Sequence, residues 1–258
     1  MRRAERPSRI ALEALALGLL HGPAELVPVS SSGHVAALPW LLGWEVAGWD
    51  AARRKELEVA LHAGTAAALL AVLRRERMRP ALLAAAVAPP ALAGLALERR
   101  IEQRLGTPAT LAAGLVAGGA ALVLADRVPV TRASGDAGVR DGLWLGLAQA
   151  AALVPGVSRN GATLAAARAR GFSRADASRL SWEVALPVLL GASSLKAWRV
   201  VGAGGTVPLA AGAAAAFAST LATARAIGLE RRAPLWPWAA WRAGLAAAIL
   251  AVRQNRSR

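Results

Sequence analysis

The stretch HGPAELVPVSSSGH, residues 21–34, places two histidines, a glutamate and three consecutive serines inside an apolar sequence. In a lipid-facing helix these polar groups would carry a high free-energy cost. Pro28 removes a backbone donor and Gly33 permits a tight turn, so both favour an interruption of the helix. Irregular backbone at membrane depth is tolerated where it is buried in protein or lines a wet cavity. We therefore predict a re-entrant loop at VPVSSSG.

The surrounding chain is built from long uncharged runs. Of its 258 residues, 55% are hydrophobic, and the mean hydropathy is +0.40. Several runs reach the roughly 17 to 25 residues that cross a bilayer, and a soluble helix of that length would show a polar face. The uncharged runs are residues 26–44, 80–97, 105–125, 142–158 and 200–224. We predict an all-α, polytopic membrane helical bundle that forms one integral membrane domain over residues 1–258.

The net charge of +15 comes mostly from arginines in short connectors and at the termini, as in RRERMR at 74–79 and ERRIEQR at 98–104. A nucleic-acid-binding protein would gather such charges on one surface with stacking aromatics. Arginines that punctuate apolar segments are typical of juxtamembrane positions, so we expect membrane lipids and no nucleic acid as partners. The absence of cysteine excludes disulfides, thiolate metal sites and cysteine nucleophiles.

Short motifs recur in the two halves of the chain. LVPVSSSG at 26–33 is similar to LVPGVSRNG at 153–161, and EVAL occurs at both 58–61 and 183–186. The order and the nearly equal offset indicate a duplication. The predicted parts are repeat 1 over about 10–125, a polar connector at 126–141 and repeat 2 over about 141–252. Because membrane duplications often have inverted topology, with the site where broken helices meet, we predict two inverted repeats whose re-entrant loops line one cavity.

Hydropathy and helix breakers together predict ten helical segments. They are residues 10–20, 34–44, 56–73, 80–97, 107–125, 141–154, 161–170, 175–195, 206–228 and 236–252. Arginine clusters flank both ends of the fourth segment, so the positive-inside tendency leaves the side of the termini open. The GLVAG stretch at 114–118 indicates close helix packing, and the tryptophans near 236–241 indicate an interfacial position.

The two polar loops have the composition of a phosphate site. Serines and glycines at a helix start offer hydroxyls and free N–H groups to phosphate oxygens, and Arg159 can hold such an anion in a bidentate fork. Glu25 needs a separate explanation, because a carboxylate repels an anion. A divalent cation that bridges it to the phosphates, a role as proton acceptor, and a structural ion pair with Arg159 all stay open.

Histidine near the serines suggests covalent chemistry. His34 follows Ser31 by three residues and would reach its hydroxyl across a helix start, which predicts a nucleophile and base pair. His62 and Thr65 lie in the predicted helix 56–73 and are expected to pack or to hydrogen-bond between helices. Attack by Ser31, by His34 or by water directly stays open from the sequence.

These motifs resemble those of a known family. PAELVPVSSSGH (23–34) is similar to the first signature of the undecaprenyl-diphosphate phosphatases of the bacitracin-resistance type, PGVSRNGAT (155–163) to the second, and GFSRADASRLSWEVALPVLLGA (171–192) to the stretch that follows it. The resemblance implies an enzyme of the bacterial plasma membrane that hydrolyses undecaprenyl diphosphate to the monophosphate and phosphate, recycling the carrier lipid for peptidoglycan synthesis. It also implies a site open to the outer face and stimulation by a divalent cation, Mg²⁺ or Ca²⁺.

Carried over by position, the resemblance also implies functional residues. The reactive set would be Glu25, Ser31, His34 and Arg159, with Glu25 as the candidate metal ligand. The diphosphate site would be lined by His21, Ser30, Ser32, Gly33, Ser158, Asn160 and Gly161. Asn160 stands where the family commonly has serine.

One departure from the family pattern bears on the cation. His21 stands where the family usually carries glutamate or glutamine, which weakens a cation site built from two acids, although imidazole still binds some metals. Two other functions stay open: a transporter or flippase for a phosphorylated lipid, and a lipid-diphosphate-binding paralogue without catalysis. The expected partner is a polyprenyl diphosphate lipid, and assembly as a homo-oligomer stays open.

Overall fold

A computed structural model describes residues 7–73, 79–202 and 207–256, and within these ranges the chain is helical with no extended strand. The helices are α1 (Pro7–Leu26), α2 (Ser31–Leu42), α3 (Ala51–Val72), α4 (Pro80–Leu105), α5 (Pro108–Asp126), α6 (Val139–Ala151), α7 (Arg159–Ala169), α8 (Arg174–Gly202), α9 (Val207–Ala222) and α10 (Trp236–Arg256). The all-α prediction, the order of the ten segments and the breaks at the two polar loops are confirmed.

Several helix ends differ from the predicted ones by more than four residues, among them the C-terminal ends of α1, α4 and α9. α1 continues through Pro23 to Leu26 instead of ending at residue 20. α4 extends to Leu105 rather than to residue 97, because the glutamates and arginines that follow the apolar run are themselves good helix formers. The prediction that the ninth helix reaches residue 228 was wrong: α9 ends at Ala222, and short 3₁₀ turns follow up to Arg231.

Two of the described helical stretches are long and apolar enough to cross a membrane: Pro80–Leu97 within α4, and Pro108–Asp126, which is α5. α9 and the turns after it make a third candidate, bent by 58°. Leu92 and Leu95 of α4 leave 68% and 76% of their surfaces exposed, an apolar face that lipid would cover. These features support a membrane protein.

α1 and α2 form a helical hairpin. The carboxylate of Glu13, in the second turn of α1, accepts hydrogen bonds from the N–H groups of Glu45 (3.1 Å) and Val46 (3.0 Å), just after α2. The chain therefore returns to the start of α1, and residues 27–30 form the tip of the hairpin. The buried carboxylate satisfies the first N–H groups of the following 3₁₀ turn, which anchors the open end.

α6 and α7 form a second helical hairpin. Asp141, in the first turn of α6, accepts from Arg132 at 2.7 and 2.9 Å and from Arg170 at 2.9 Å. Because Arg170 follows α7 directly, the end of α7 lies beside the start of α6, and residues 152–158 form the tip. As in the first hairpin, a buried acidic side chain of the first helix holds the open end together.

Glycines let the hairpins approach their neighbours closely. α1 packs against α9, and α6 packs against α4. A Cβ atom on Gly18 of α1 would lie 2.3 Å from Gly212 O, and one on Gly142 of α6 would lie 2.3 Å from Leu82 O. α3 packs against α8 and α5 against α10. Each hairpin is thus fixed by a helix from the other half of the chain.

Separate buried apolar clusters surround the two hairpins. One includes Ile10 and Leu17 of α1 with Leu57 of α3. The other includes Leu145 of α6 and Leu164 of α7. The hairpin bodies are therefore held by apolar packing, which leaves the two tips to make the polar contacts of the candidate site.

Candidate active site

Ser30 and Ser158 occupy the same position at the two hairpin tips. Each precedes a helix, and they are the two non-glycine residues with positive φ in the described part of the chain, at 76° and 69°. Each hydroxyl accepts from the N–H three residues later, on Gly33 and Gly161, over 3.2 Å in both cases. Left-handed backbone at serine is strained, and strain of this kind concentrates at functional sites.

The two caps leave the first helical amides available. The N–H groups at the start of α2 and α7, on Ser31, Ser32, Arg159 and Asn160, have no acceptor within their own helices. Helix starts carry a partial positive charge and favour anions. Because Arg159 at the start of α7 contacts Glu25 beside the first tip, two helix starts that favour anions lie close together.

The second tip is pressed against α5. A Cβ atom on Gly114 would lie 2.2 Å from Pro155 O, and one on Gly118 would lie 2.6 Å from Val157 O. The close packing predicted for GLVAG is confirmed, and its partner is the second tip. Arg242 of α10, which is fully buried, donates to Gly156 O (2.8 Å) and Val157 O (2.7 Å). The sequence analysis missed Arg242; its position inside an apolar segment was the available signal.

The tips are joined by Glu25 and Arg159. Arg159 Nη2 donates to Glu25 Oε1 over 2.7 Å, and the Ser31 hydroxyl donates to Glu25 Oε2. Asn160 is buried, with Nδ2 3.5 Å from Leu26 O and Oδ1 accepting from Ser181. Three of the predicted reactive residues thus form one connected group, in which Glu25 has both an ion-pair partner and a hydroxyl to accept from.

Arg159 has guanidinium N–H donors that its ion pair with Glu25 does not use. Its Nε and Nη1 are buried and have no hydrogen-bond partner within the described residues, and its guanidinium lies 5.2 Å from the ring centroid of Trp182. Buried guanidinium donors are normally satisfied, so these two remain available to a further hydrogen-bond acceptor. Trp182, which the sequence analysis did not single out, limits the positions that the guanidinium can adopt.

The His34 ring is hydrogen-bonded to groups other than Ser31. Its Nδ1 donates to Ser30 O over 2.7 Å, and its Nε2 accepts from the indole N–H of Trp241 over 2.8 Å. A carbonyl accepts, so Nδ1 carries the proton and both nitrogens are satisfied in a neutral ring. The structure does not pair His34 with Ser31, because the ring turns back to the preceding turn of backbone while Ser31 points to Glu25. Trp241, expected only at the interface, is a neighbour of the site.

His21 and His62 lie beside Glu25. His21 is fully buried, with Nδ1 2.9 Å from Thr65 Oγ1, and its Nε2 has no hydrogen-bond partner among the described residues. His62 donates from Nδ1 to Glu58 O (2.8 Å), and its Nε2 lies 4.0 Å from Glu25 Oε2. One ligand atom from each of His21, Glu25 and His62 falls within 4.8 Å of the others. The sequence analysis gave His62 a packing role; its place directly after the repeated EVAL motif was the missed signal.

A cavity of about 850 Å³ opens between the tips and the neighbouring helices. Its polar part is lined by Glu25, Ser31, Ser32, His62, Ser158 and Arg159. Its apolar part includes Trp40, Leu95, Pro187 and Leu189. His21 lies behind this surface, and Ser30, Gly33 and Gly161 support the caps. A cavity with a polar end and an apolar wall suits an amphiphile with an anionic head group.

Comparison with known proteins gives consistent matches. The family model described as bacitracin resistance protein BacA matches residues 14–248. A curated undecaprenyl-diphosphatase of Geobacter sulfurreducens is 36% identical over 93% of this chain and 97% of its own length. The undecaprenyl-diphosphatase of Trichlorobacter lovleyi is 32% identical over 93% and 96%, and that of Pelotomaculum thermopropionicum is 36% identical over 71% and 74%. The matched region includes both hairpin tips and every residue of the candidate site.

Proposed function

This chain belongs to the bacitracin resistance protein BacA family, and from that premise we propose that it is an undecaprenyl-diphosphatase, a membrane hydrolase that converts undecaprenyl diphosphate to the monophosphate and phosphate. The observation that carries the proposal for this site is the joined group of Ser31, Glu25 and Arg159 at the polar end of an amphiphile-sized cavity. A transporter or a binding protein would need the cavity but not a serine hydroxyl directed at a carboxylate.

The diphosphate would bind where the two helix starts meet. Arg159 lines the cavity and has two N–H donors, Nε and Nη1, without a partner among the described residues. The first-turn N–H groups of α2 and α7 are further donors. They would neutralise the phosphate oxygens as charge develops in the transition state. The prenyl chain would lie along the apolar wall that includes Leu95 and Pro187.

Glu25 is the base that the contacts favour. It accepts the proton of Ser31 as Ser31 Oγ bonds to the terminal phosphorus, and the bond from that phosphorus to the bridging oxygen breaks. Undecaprenyl monophosphate leaves with the electron pair of that bond. Glu25 passes the Ser31 proton to the leaving monophosphate and then takes one from water, whose oxygen bonds to the phosphoserine phosphorus. The bond from that phosphorus to Ser31 Oγ breaks, phosphate is released, and Ser31 Oγ takes the second proton back from Glu25. His34, with both nitrogens occupied, supports the first cap in this scheme.

A divalent cation is part of the proposal, with Mg²⁺ or Ca²⁺ expected from the family resemblance. The described residues fit a cation, because possible metal-ligand atoms of Glu25, His21 and His62 lie within 4.8 Å of one another. Among these residues the buried His21 Nε2 has no hydrogen-bond partner. When bound, the cation would stabilise negative charge on the phosphoryl group. Glu25 would then be shared between the cation and Arg159.

We further propose that the halves are inverted repeats and that both hairpins are re-entrant. The matching caps of Ser30 and Ser158 support this, as do two hairpins that each return to their starting end. The packing of α1 on α9 is matched by that of α6 on α4, as a two-fold relation between the halves requires. Placement in the bacterial plasma membrane, with the cavity open to the outer face, extends the proposal by family resemblance.

Phosphate release from purified protein tests the assignment. In detergent with undecaprenyl diphosphate and a divalent cation, we expect the wild type and Arg140→Ala, a change at an exposed arginine of α6, to release phosphate. Arg159→Ala and Ser31→Ala should not. Equal release by all four proteins, or lipid translocation in liposomes without any hydrolysis, contradicts the proposal.

A further inference from the structure

The tautomers of two histidines define the chemistry beside Glu25. His62 donates from Nδ1 to a carbonyl, so its neutral ring has a lone pair on Nε2, the atom that lies 4.0 Å from Glu25 Oε2. His21 Nδ1 contacts the Thr65 hydroxyl, and its buried Nε2 has no partner in the part of the chain that the structure describes. Two imidazole nitrogens and a carboxylate oxygen therefore face one another.

Such a group is unfavourable when it is empty. Burying an unpartnered imidazole nitrogen is unfavourable, and a lone pair directed at a carboxylate adds repulsion. A metal ion would relieve both, because each of the three atoms is a good ligand. In the tetrahedral geometry of Zn²⁺, with bonds of about 2.0–2.2 Å, ligand atoms lie about 3.3–3.6 Å apart. Separations of up to 4.8 Å are longer than this, so the three side chains must rotate toward the ion when it binds.

Neighbouring groups orient the two histidines in the way that is usual around metal sites. Metal-binding histidines usually give their second ring nitrogen to a carbonyl or a hydroxyl, which fixes the tautomer and orients the ring. His62 has the Glu58 carbonyl in this role, and His21 has the hydroxyl of Thr65, which itself lies 3.2 Å from Thr220 Oγ1. The two rings pack edge to face with centroids 4.5 Å apart. Helices α1, α3 and α9 thus all contribute.

We infer that His21, Glu25 and His62 form a binding site for one transition-metal ion of the Zn²⁺ type, which they bind in preference to Mg²⁺ or Ca²⁺. Mg²⁺ and Ca²⁺ favour oxygen ligands, whereas imidazole suits zinc and its neighbours. Two nitrogens and one carboxylate oxygen also leave coordination positions open, as in catalytic zinc sites. The second imidazole is essential to this assignment, because a site made of one carboxylate and one imidazole would discriminate less between Zn²⁺ and Mg²⁺ or Ca²⁺.

This inference deepens the proposed function. The role of the ion in phosphate release rests on that function, whereas the binding of the ion does not. Glu25 Oε2 also accepts from Ser31, so the ion would lie next to the hydroxyl proposed to attack phosphorus. With Arg159 on the other carboxylate oxygen, the site would carry enough positive charge for a diphosphate. Metal binding itself is measured without any substrate.

The test uses full-length protein in detergent, with any affinity tag removed and bound metal stripped by a chelator. Co²⁺, a spectroscopic substitute for Zn²⁺, is titrated while visible d–d absorption is followed, and metal content is measured after dialysis against equal Zn²⁺ and Mg²⁺. We expect one ion per chain and retention of Zn²⁺ over Mg²⁺. His21→Gln and His62→Gln should weaken Co²⁺ binding at least 100-fold, and Thr65→Val should weaken it about 10-fold through loss of ring orientation.

His34→Gln is the matched control, because the chain has three histidines and His34 is the one that lies outside the cluster. It should bind Co²⁺ as the wild type does. The inference is overturned if wild-type protein binds no Co²⁺, if Mg²⁺ competes at equal concentration, or if both glutamine variants keep wild-type affinity. The wild-type competition decides the matter even if a variant fails to fold. Phosphate release without Zn²⁺-type binding would contradict only this inference, and metal binding without phosphate release would contradict only the proposed function.

Discussion

Arg159 and Glu25 form a 2.7 Å ion pair that joins the tips of two helical hairpins from opposite halves of the chain. Both side chains are largely buried, at 12% and 7% exposed. Removing one partner of such a pair leaves an uncompensated charge, which typically costs about 3–5 kcal/mol. The pair therefore holds the tips together as well as forming the polar end of the cavity.

Changes at this pair should not be additive. We expect Glu25→Gln to lower the rate of phosphate release by about 10²–10⁴-fold, as for loss of a general base. Arg159→Lys keeps the charge but loses the planar fork, so it should also be strongly impaired. Since the residues act as a unit, the double variant Glu25→Gln/Arg159→Ala should be no slower than the slower single variant. Rate losses that multiply would show that the two act separately.

Adjacent serines provide a matched pair of variants. Ser31→Ala removes the hydroxyl that donates to Glu25 and should lower phosphate release at least 100-fold with little change in thermal stability. Ser32, which also lines the cavity, serves as the control, and Ser32→Ala should stay within about 10-fold of the wild type. Trapping of labelled phosphate on the wild type but not on Ser31→Ala would identify the nucleophile. Covalent labelling that persists in Ser31→Ala would assign it to another group.

The His34 contacts predict a supporting role. Trp241→Phe keeps the aromatic ring but removes the N–H that occupies His34 Nε2, and His34→Gln removes the imidazole. Because neither residue contacts Ser31, both variants should lower kcat less than 10-fold and leave the shape of the pH–rate profile unchanged. The melting temperature checks folding. A loss of the acidic limb of the profile in His34→Gln would instead make His34 the general base.

Close packing of the second tip predicts opposite effects for two glycines. Gly114→Ala would place a Cβ atom 2.2 Å from Pro155 O, so it should destabilise the protein by about 1–3 kcal/mol and reduce activity by shifting the tip. Gly244 of α10 has open space at the same atom, and Gly244→Ala should be neutral or slightly stabilising because alanine favours helix. Thermal unfolding in detergent measures both. Equal melting temperatures would mean that α5 and the tip do not pack as described.

Local sequence was sufficient for the helices and for much of the candidate site. Uncharged runs and proline or glycine breaks gave the order of the ten helices, because both act over a few neighbouring residues. The family-like motifs identified Glu25, Ser31 and Arg159, which the structure brings into contact. Helix ends were less accurate: Pro23 does not end α1, and α9 stops before its apolar run does.

Local sequence did not show which side chains contact each other. The sequence spacing allowed His34 to serve Ser31, but Trp241, more than 200 positions away in the chain, occupies its second nitrogen. His62 looked like an ordinary helix residue until packing set it beside Glu25. Arg242 became a support for the second tip only through the contact between α5 and α10.

HGPAELVPVSSSGH by itself determined that the chain breaks at this point and that the break carries a carboxylate, hydroxyls and imidazoles, since backbone conformation and side-chain chemistry are local properties. Only the tertiary structure decided which groups work together. It directs Ser31 to Glu25, gives Glu25 an arginine from the other half, turns His34 to Trp241, and places His21 with His62. The physical reason is that hydrogen bonds, ion pairs and metal sites depend on distances of a few ångströms between side chains, which the packing of distant helices sets.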